Sequence, residues 1–125
     1  MSSSKWIAAM GAVVLIGFPL GLYAQHVGSV AFSGEYHFFS GTVGEKGPPT
    51  KKDMKVGLSL SGALALRMYQ SMGSAAHIES CGDGDDDLRL RGDLLCSRNK
   101  LTGKAECDVG IDLHSGKSVL SIDPC

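Results

Sequence analysis

The sequence lacks the short motifs that usually reveal a catalytic site. It contains no Gly-x-Ser-x-Gly elbow, no Gly-x-x-x-x-Gly-Lys phosphate loop and no His-Glu-x-x-His helix. It also lacks a Cys-x-x-Cys pair, and its four histidines are scattered, which argues against a zinc site. Without a recognisable nucleophile or metal centre, we expect that this chain is not an enzyme and needs no cofactor.

The chain also lacks a strong charge of either sign. Its formal net charge is -1 over 125 residues. A near-neutral protein exerts no strong electrostatic pull on phosphate groups, so we expect no nucleic-acid partner. The length fits one small domain.

The one long uncharged stretch lies at the N-terminus. A single lysine, Lys5, precedes an uncharged run over residues 6–24, and Pro19 interrupts its apolar part. This pattern predicts a signal peptide over residues 1–24 and a periplasmic or secreted domain over residues 25–125, which leaves the membrane after cleavage. An uncleaved anchor is the alternative, because a run of this length nearly spans a bilayer.

All four cysteines lie in the predicted mature domain. In an oxidising compartment an even number predicts disulfides, here two, and four cysteines allow three pairings. The strand register described below favours Cys96 with Cys107, which leaves Cys81 with Cys125.

The hydrophobic pattern predicts an α+β fold. Polar and apolar residues alternate, as in strands, over residues 29–39, 54–60, 88–96, 105–113 and 118–122. Ser61 can cap a helix over residues 62–72, whose apolar side holds Ala65, Met68, Tyr69 and Met72 and which Gly73 can end. We therefore expect an antiparallel sheet of about five strands, in the order ββαβββ, with the helix packed on one face.

Residues 88–125 form a predicted three-stranded meander. With Cys96 opposite Cys107, one register places Leu94 opposite Val109, Gly92 opposite Ile111, Leu90 opposite Leu113 and Arg91 opposite Asp112. Arg89, Arg91 and Asp108 then lie on the solvent-exposed face, and Leu95 is the one residue that does not fit the alternation. A tight turn at Gly92 is the alternative, but the alternation runs straight through that residue. A second turn around Ser115 and Gly116 would set Leu120 opposite Ile111.

Two further segments complete the predicted domain. In the first strand, Val30, Phe32, Tyr36 and Phe38 share one side, which predicts an aromatic contribution to the core. Residues 41–53 have no apolar periodicity and contain Pro48 and Pro49, so they predict a flexible loop. Lys51 and Lys52 in this loop are candidates for contact with a partner.

The acidic segment is the stretch that most resembles a site. It contains Asp83, Asp85, Asp86 and Asp87, which are candidates for contact with a basic partner. Asp83, Asp85 and Asp87 also have the spacing of the first three ligands of a calcium loop. However, Leu88 and Leu94 stand where that loop needs glycine and glutamate, so a charged loop held by Cys81 is the favoured interpretation.

Elimination leads to a function in binding. A small exported domain with disulfides and without a catalytic set is expected to present a surface to another protein. Its overall plan is similar to that of bacterial envelope inhibitors and immunity proteins, which suggests an exported enzyme such as a cell-wall hydrolase as the target. A calcium-binding module and a structural envelope protein are the alternatives.

Overall fold

The computed structural model describes residues 28–79 and 84–125, so the predicted signal peptide, Cys81 and Asp83 lie outside the described residues. The described part is an α+β fold, as predicted, but its sheet has seven strands rather than about five, because five strands and not three follow the helix. Its strands are β1 (Ser33–Phe39), β2 (Lys55–Ser61), β3 (His77–Ile78), β4 (Asp86–Arg91), β5 (Leu94–Asn99), β6 (Ala105–Asp112) and β7 (Ser118–Val119). The helix α1 spans Gly62–Met72, and 3-10 helices lie at Val43–Glu45 and Ser74–Ala76. Within residues 28–79 and 84–125, no helix has the length and apolar character needed to cross a membrane.

These seven strands form one antiparallel sheet around β6. The order is β1-β2-β6-β5-β4-β3, and β7 also pairs with β6. β2 pairs with β6 along residues 106–112, whereas β5 pairs with it along residues 105–108. β7 therefore lies on the same side of β6 as β5, beyond the point where β5 stops pairing.

Gly92 is a turn residue, so the predicted single strand over residues 88–96 is wrong and the alternative of a tight turn is confirmed. β4 ends just before Gly92, whose φ is +60°. Such a left-handed conformation suits glycine, which has no Cβ. Because the chain reverses here, Leu90 lies opposite Leu95 and shares its face, while Cys96 lies on the other face. The pairs predicted for Gly92, Leu90 and Arg91 with β6 do not form.

The register of β5 on β6 is as predicted. Cys96 lies directly opposite Cys107, with their Cα atoms 4.0 Å apart, and the two form a disulfide. Both cysteines are completely buried. Of the two predicted bridges, this is the one that the described residues contain; the other falls on Cys81.

The helix α1 has the predicted bounds and covers this disulfide. Ser61 directly precedes it with an extended backbone, but its side chain makes no capping hydrogen bond, and Gly73 with φ of +73° ends it. Ala65, Tyr69 and Met72 are buried and pack around Cys96 and Cys107, with Met68 partly buried beside them. We call the side of the sheet that carries α1 the helix face.

Strand β1 does not supply the predicted aromatic core. Tyr36 is 69 % exposed and Phe38 is 48 % exposed, whereas Phe39, on the opposite side of the strand, is buried. Val30 and Phe32 precede the strand and are exposed as well. The reason is the short helix, which packs mainly over β2, β4, β5 and β6 and leaves the aromatic side of β1 uncovered.

The pairing of β7 differs from the prediction by two residues. Ile111 lies opposite Ser118 rather than Leu120. The carboxylate of Asp112 accepts hydrogen bonds from the backbone N–H groups of His114 and Ser115 at 2.8 and 3.0 Å, which lengthens the turn. The strand ends at Val119, earlier than predicted.

The C-terminal tail, residues 120–125, crosses the other side of the sheet, which we call the tail face. Ser121 is buried next to Gly110. Ile122 and Pro124 line a pocket together with Leu88 and Leu95. The tail therefore covers the apolar residues of β4 and β5 that lie on the tail face. Leu95 is one of them, and this is why it did not fit an alternation with all apolar residues on one face.

Substitution of Gly110 tests this cover. A Cβ atom at this position would lie 2.8 Å from Val119 Cγ2 and 2.9 Å from the Val119 carbonyl oxygen. We expect Gly110→Ala to lower the free energy of unfolding by about 1 to 3 kcal/mol, because Val119 of β7 must shift and move the tail that follows it. Chemical denaturation measures this difference.

Gly44→Ala is the matched control. A Cβ atom at this position would have no neighbour within 4 Å, and its φ is not positive. Equal unfolding free energies for the two variants would contradict the close packing of the tail on β6.

Candidate functional site

The 41–53 loop, residues 41–53, is closed at its base by Asp53. The backbone N–H of Gly41 donates to Asp53 Oδ2 at 2.7 Å, and the Lys55 ammonium donates to Asp53 Oδ1. These contacts lower the pKa of Asp53, first through the Lys55 hydrogen bond and then through the Gly41 amide. One carboxylate thus joins the two ends of the loop to β2.

A second set of hydrogen bonds holds the middle of the loop. Ser40 and Gly47 exchange backbone hydrogen bonds at 3.0 and 3.1 Å, and Ser40 Oγ donates to the Pro48 carbonyl at 2.8 Å. The enclosed residues contain the 3-10 helix Val43–Glu45. The loop therefore contains an element that its sequence did not predict.

Lys46 fastens the loop to the tail face. Its Nζ lies 4.7 Å from the centroid of the Phe39 ring and 3.5 Å from His37 Nε2, and it donates to the Ser121 carbonyl. The His37 ring lies over Gly57, where a Cβ atom would come within 2.5 Å of the ring. One lysine thus contacts the loop's neighbouring strand and the C-terminal tail.

The predicted contact residues Lys51 and Lys52 form the tip of the loop. Thr50 and Asp53 bracket them with reciprocal hydrogen bonds, from Thr50 N to the Asp53 carbonyl at 3.0 Å and from Asp53 N to Thr50 Oγ1 at 2.9 Å. Both lysines are exposed. The tip is therefore a closed turn that carries two exposed lysines.

The predicted acidic surface divides in two. Asp85 and Asp86 are exposed, and Asp86 Oδ1 accepts a hydrogen bond from Asn99 Nδ2 at 3.0 Å. Asp87 instead points toward the helix, while Asp83 lies outside the described residues. Asp85 and Asp86 remain available to a partner.

Asp87 joins the helix to β3 and β4. Its Oδ2 accepts a hydrogen bond from the Tyr69 hydroxyl, and its Oδ1 lies 2.6 Å from His77 Nδ1. Arg89 Nε lies 3.5 Å from Oδ2. The Tyr69 hydrogen bond is the main cause that lowers the pKa of Asp87, while burial and the same bond raise the pKa of Tyr69.

Two arginines of β4 support the end of the helix. Arg89 Nη1 donates to the Tyr69 carbonyl and Arg91 Nη2 to the Met72 carbonyl, each at 3.0 Å. The Arg89 guanidinium also lies 3.9 Å from the centroid of the Tyr69 ring. The last carbonyls of a helix lack intrahelical donors and attract positive charge, so this arrangement stabilises α1. The sequence placed these side chains on a solvent-facing side, whereas they lie on the helix face.

The calcium site suggested by the aspartate spacing receives no support from these contacts. Both carboxylate oxygens of Asp87 already have protein partners. In residues 28–79 and 84–125, no group of three His, Cys, Asp or Glu side chains is arranged to hold a metal ion. With Asp83 outside those ranges, calcium binding stays a prediction.

A buried carboxylate lies in the middle of the tail face, where the sequence predicted a solvent-exposed side. Asp108 is buried, and its Oδ1 accepts a hydrogen bond from Ser59 Oγ at 2.5 Å. Burial raises the pKa of Asp108, although Ser59, His37 and Lys46 act in the opposite direction. Alternation along β6 could not predict this burial, because the covering tail follows only after β7.

This polar group does not form a hydrogen-bonded nucleophile set. Ser59 donates to a carboxylate, and the ring nitrogen of His37 contacts Lys46. Among the hydrogen bonds of the described residues, none joins His37 to Ser59 or to Asp108. Ser59 lies directly opposite Asp108, so this hydrogen bond joins β2 to β6.

Comparison with known proteins gives no relative from which a role could be transferred. The chain matches no protein-family model, no curated protein and no solved structure.

Asp87→Asn tests the structural role of this aspartate. The variant loses a charged acceptor for Tyr69, His77 and Arg89, so we expect about 1 to 3 kcal/mol less unfolding free energy at neutral pH. The folded pKa lies below the ordinary 3.8, so this contribution is present above pH 3.8 and is lost as the pH falls through the folded pKa. Denaturation curves at neutral and acid pH measure both effects.

Asp86→Asn is the control, because Asp86 is exposed and its carboxylate is bonded to Asn99. A loss for Asp86→Asn as large as that for Asp87→Asn, or a loss for Asp87→Asn that persists in acid, would contradict the assignment.

Proposed function

We propose that this chain is an exported binding protein that presents the 41–53 loop to another protein. The observation that carries the proposal is the fixed conformation of the loop. Asp53 closes its base, the Ser40 and Gly47 backbones bridge its middle, and Lys46 docks it on Phe39. A loop that is ordered before binding loses less conformational entropy on association, so its contacts contribute more fully to affinity.

The charges on this surface indicate the chemistry of the partner. Lys51 and Lys52 at the exposed tip favour an acidic patch, and the exposed carboxylates of Asp85 and Asp86 favour a basic one. Exposed charges of this kind chiefly raise the association rate and select the partner. The two charged surfaces lie at opposite ends of the sheet, because the loop follows the row of Phe39, Lys55 and Asp112, whereas Asp86 lies opposite Asn99 near the start of β6.

Among binding proteins, the inhibitor or immunity type fits this arrangement best. Rigid loops held on a small disulfide-containing scaffold are well suited to block the active site of an enzyme. The predicted signal peptide would place the protein in the periplasm or outside the cell, and an envelope enzyme such as a cell-wall hydrolase would then be the target. This class of function rests on the loop and on the predicted export together.

Charge reversal at the loop tip tests the proposal. We expect Lys51→Glu with Lys52→Glu to weaken capture of the partner from envelope extract by about tenfold or more, because both charges change sign. The same variant should lose the ability to inhibit the cell-wall hydrolase activity of that extract. Quantitative pull-down and a hydrolase assay give the two measurements.

The matched control is Lys100→Glu with Lys104→Glu, which changes the net charge equally at two exposed lysines of another turn. Equal effects of the two double variants would show that binding depends on the net charge of the protein and not on the loop tip. If the wild-type protein captures no protein and inhibits no hydrolase, the inhibitor proposal is wrong.

A further inference from the structure

Within residues 28–79 and 84–125, strand β1 has a strand partner on one side only. It pairs with β2 along all seven of its residues and stands at the end of the strand order, and Gly47 of the 41–53 loop pairs with Ser40 just beyond it. The outer backbone groups of an edge strand are a template for another strand. Proteins usually protect such edges with proline, lysine or a bulge, but β1 contains neither residue and its pairing runs without a break.

The helix face of β1 adds an apolar surface to this edge. Tyr36 and Phe38 are exposed, and their ring centroids lie 5.7 Å apart in an edge-to-face contact. Each ring belongs to the last residue of a row that crosses the strands. Tyr36 lies opposite Leu58, which lies opposite Val109, and Phe38 lies opposite Val56, which lies opposite Ile111. The apolar surface therefore extends from the centre of the sheet to its open edge.

The tail face of β1 has charges of opposite sign on the two sides of Tyr36. Glu35 lies in the row of Ser59 and Asp108, and it contributes to raising the pKa of Glu106. Two residues further along β1, His37 lies 3.5 Å from the Lys46 ammonium. Glu35 and the Lys46 ammonium beside His37 therefore place opposite charges on the two sides of Tyr36, and an antiparallel copy of the same strand would reverse this order.

We infer that β1 pairs with β1 of a second copy of this chain, antiparallel, around a twofold axis at Tyr36. This register uses all seven residues, because Tyr36 is the middle of Ser33–Phe39. It places Glu35 opposite the partner's His37 twice, by symmetry, and sets the two Tyr36 rings side by side. Phe38 then lies opposite the partner's Gly34, where the absence of a side chain leaves space for the ring.

The charges select this register over its neighbours. The twofold axis is perpendicular to the sheet, and directly opposite residues of the two strands share a face. The axis must therefore pass between one residue and its own copy. A centre at Glu35 would set two carboxylates against each other and shorten the overlap. A centre at His37 would set two imidazoles together beside two Lys46 ammonium groups, with the same shortening.

A complementation experiment tests the dimer. In Glu35→Lys homodimers a lysine faces the partner's His37, and in His37→Glu homodimers Glu35 faces a second glutamate. We expect each full-chain variant alone to raise the dimer dissociation constant by about tenfold or more. An equimolar mixture should restore association to near the wild-type level, because in the heterodimer the introduced lysine faces the introduced glutamate and the other pair is the wild-type one. Sedimentation velocity over a range of concentrations measures the dissociation constants of the two variants and of their mixture.

Leu101→Lys is the control at an exposed apolar residue in another turn, and it should leave the dissociation constant unchanged. Circular dichroism checks that each variant folds. A wild-type protein that stays monomeric up to its solubility limit, or folded variants that fail to complement, would overturn the inference.

A cysteine cross-link tests the register independently of charge. Tyr36→Cys faces its own copy across the axis, at the separation of directly opposite strand residues, so mild oxidation should give a covalent dimer. Phe38→Cys faces the partner's Gly34 and should stay uncrosslinked. Equal cross-linking at both positions would overturn the register at Tyr36.

Discussion

The pairing of β6 with strands on both of its sides is the constraint on which the rest of the structure depends. β2 occupies one side, and β5 followed by β7 occupies the other. Cys107 in this strand forms the disulfide to β5 and lies under the helix, while Gly110 in the same strand lies under the tail. Because residues of a strand alternate between faces, this one segment receives a cover on each side.

The covers differ in extent, and this difference creates the candidate surfaces. The 11-residue helix protects the disulfide and its neighbours but leaves the aromatic side of β1 exposed. On the other face, the tail and Lys46 bury Asp108 and Phe39 and fasten the 41–53 loop. The loop and the open edge are therefore separate features: one depends on fixed polar contacts, and the other on what the short helix does not reach.

Local patterns in the sequence were sufficient where neighbours along the chain determine the structure. The helix bounds followed from one apolar stripe and Gly73, and the β5–β6 register followed from alternation around Cys96 and Cys107. Gly92 was assigned wrongly because a glycine fits both an alternating strand and a tight turn. Alternation also shows which residues of β1 share a face, but not whether another element covers that face.

The candidate site was predictable only in part for the same reason. The exposed lysines at the loop tip follow from a polar, proline-containing segment. The contacts of Lys46 with Ser121, and of Asp87 with Tyr69, join residues that are far apart in the sequence. Asp87 therefore resembled a surface charge in the sequence, whereas its contacts with Tyr69 and His77 give it a structural role.

Amide hydrogen exchange across the sheet, measured at several protein concentrations, tests most directly whether the covered core and the open edge behave as described. We predict slow exchange in β6 at every concentration, because strands and covers surround it. In β1, the amides that point away from β2 should exchange fast in dilute protein and become protected as the concentration rises. Exchange in β1 that does not depend on concentration, or fast exchange in the centre of β6, would contradict this account.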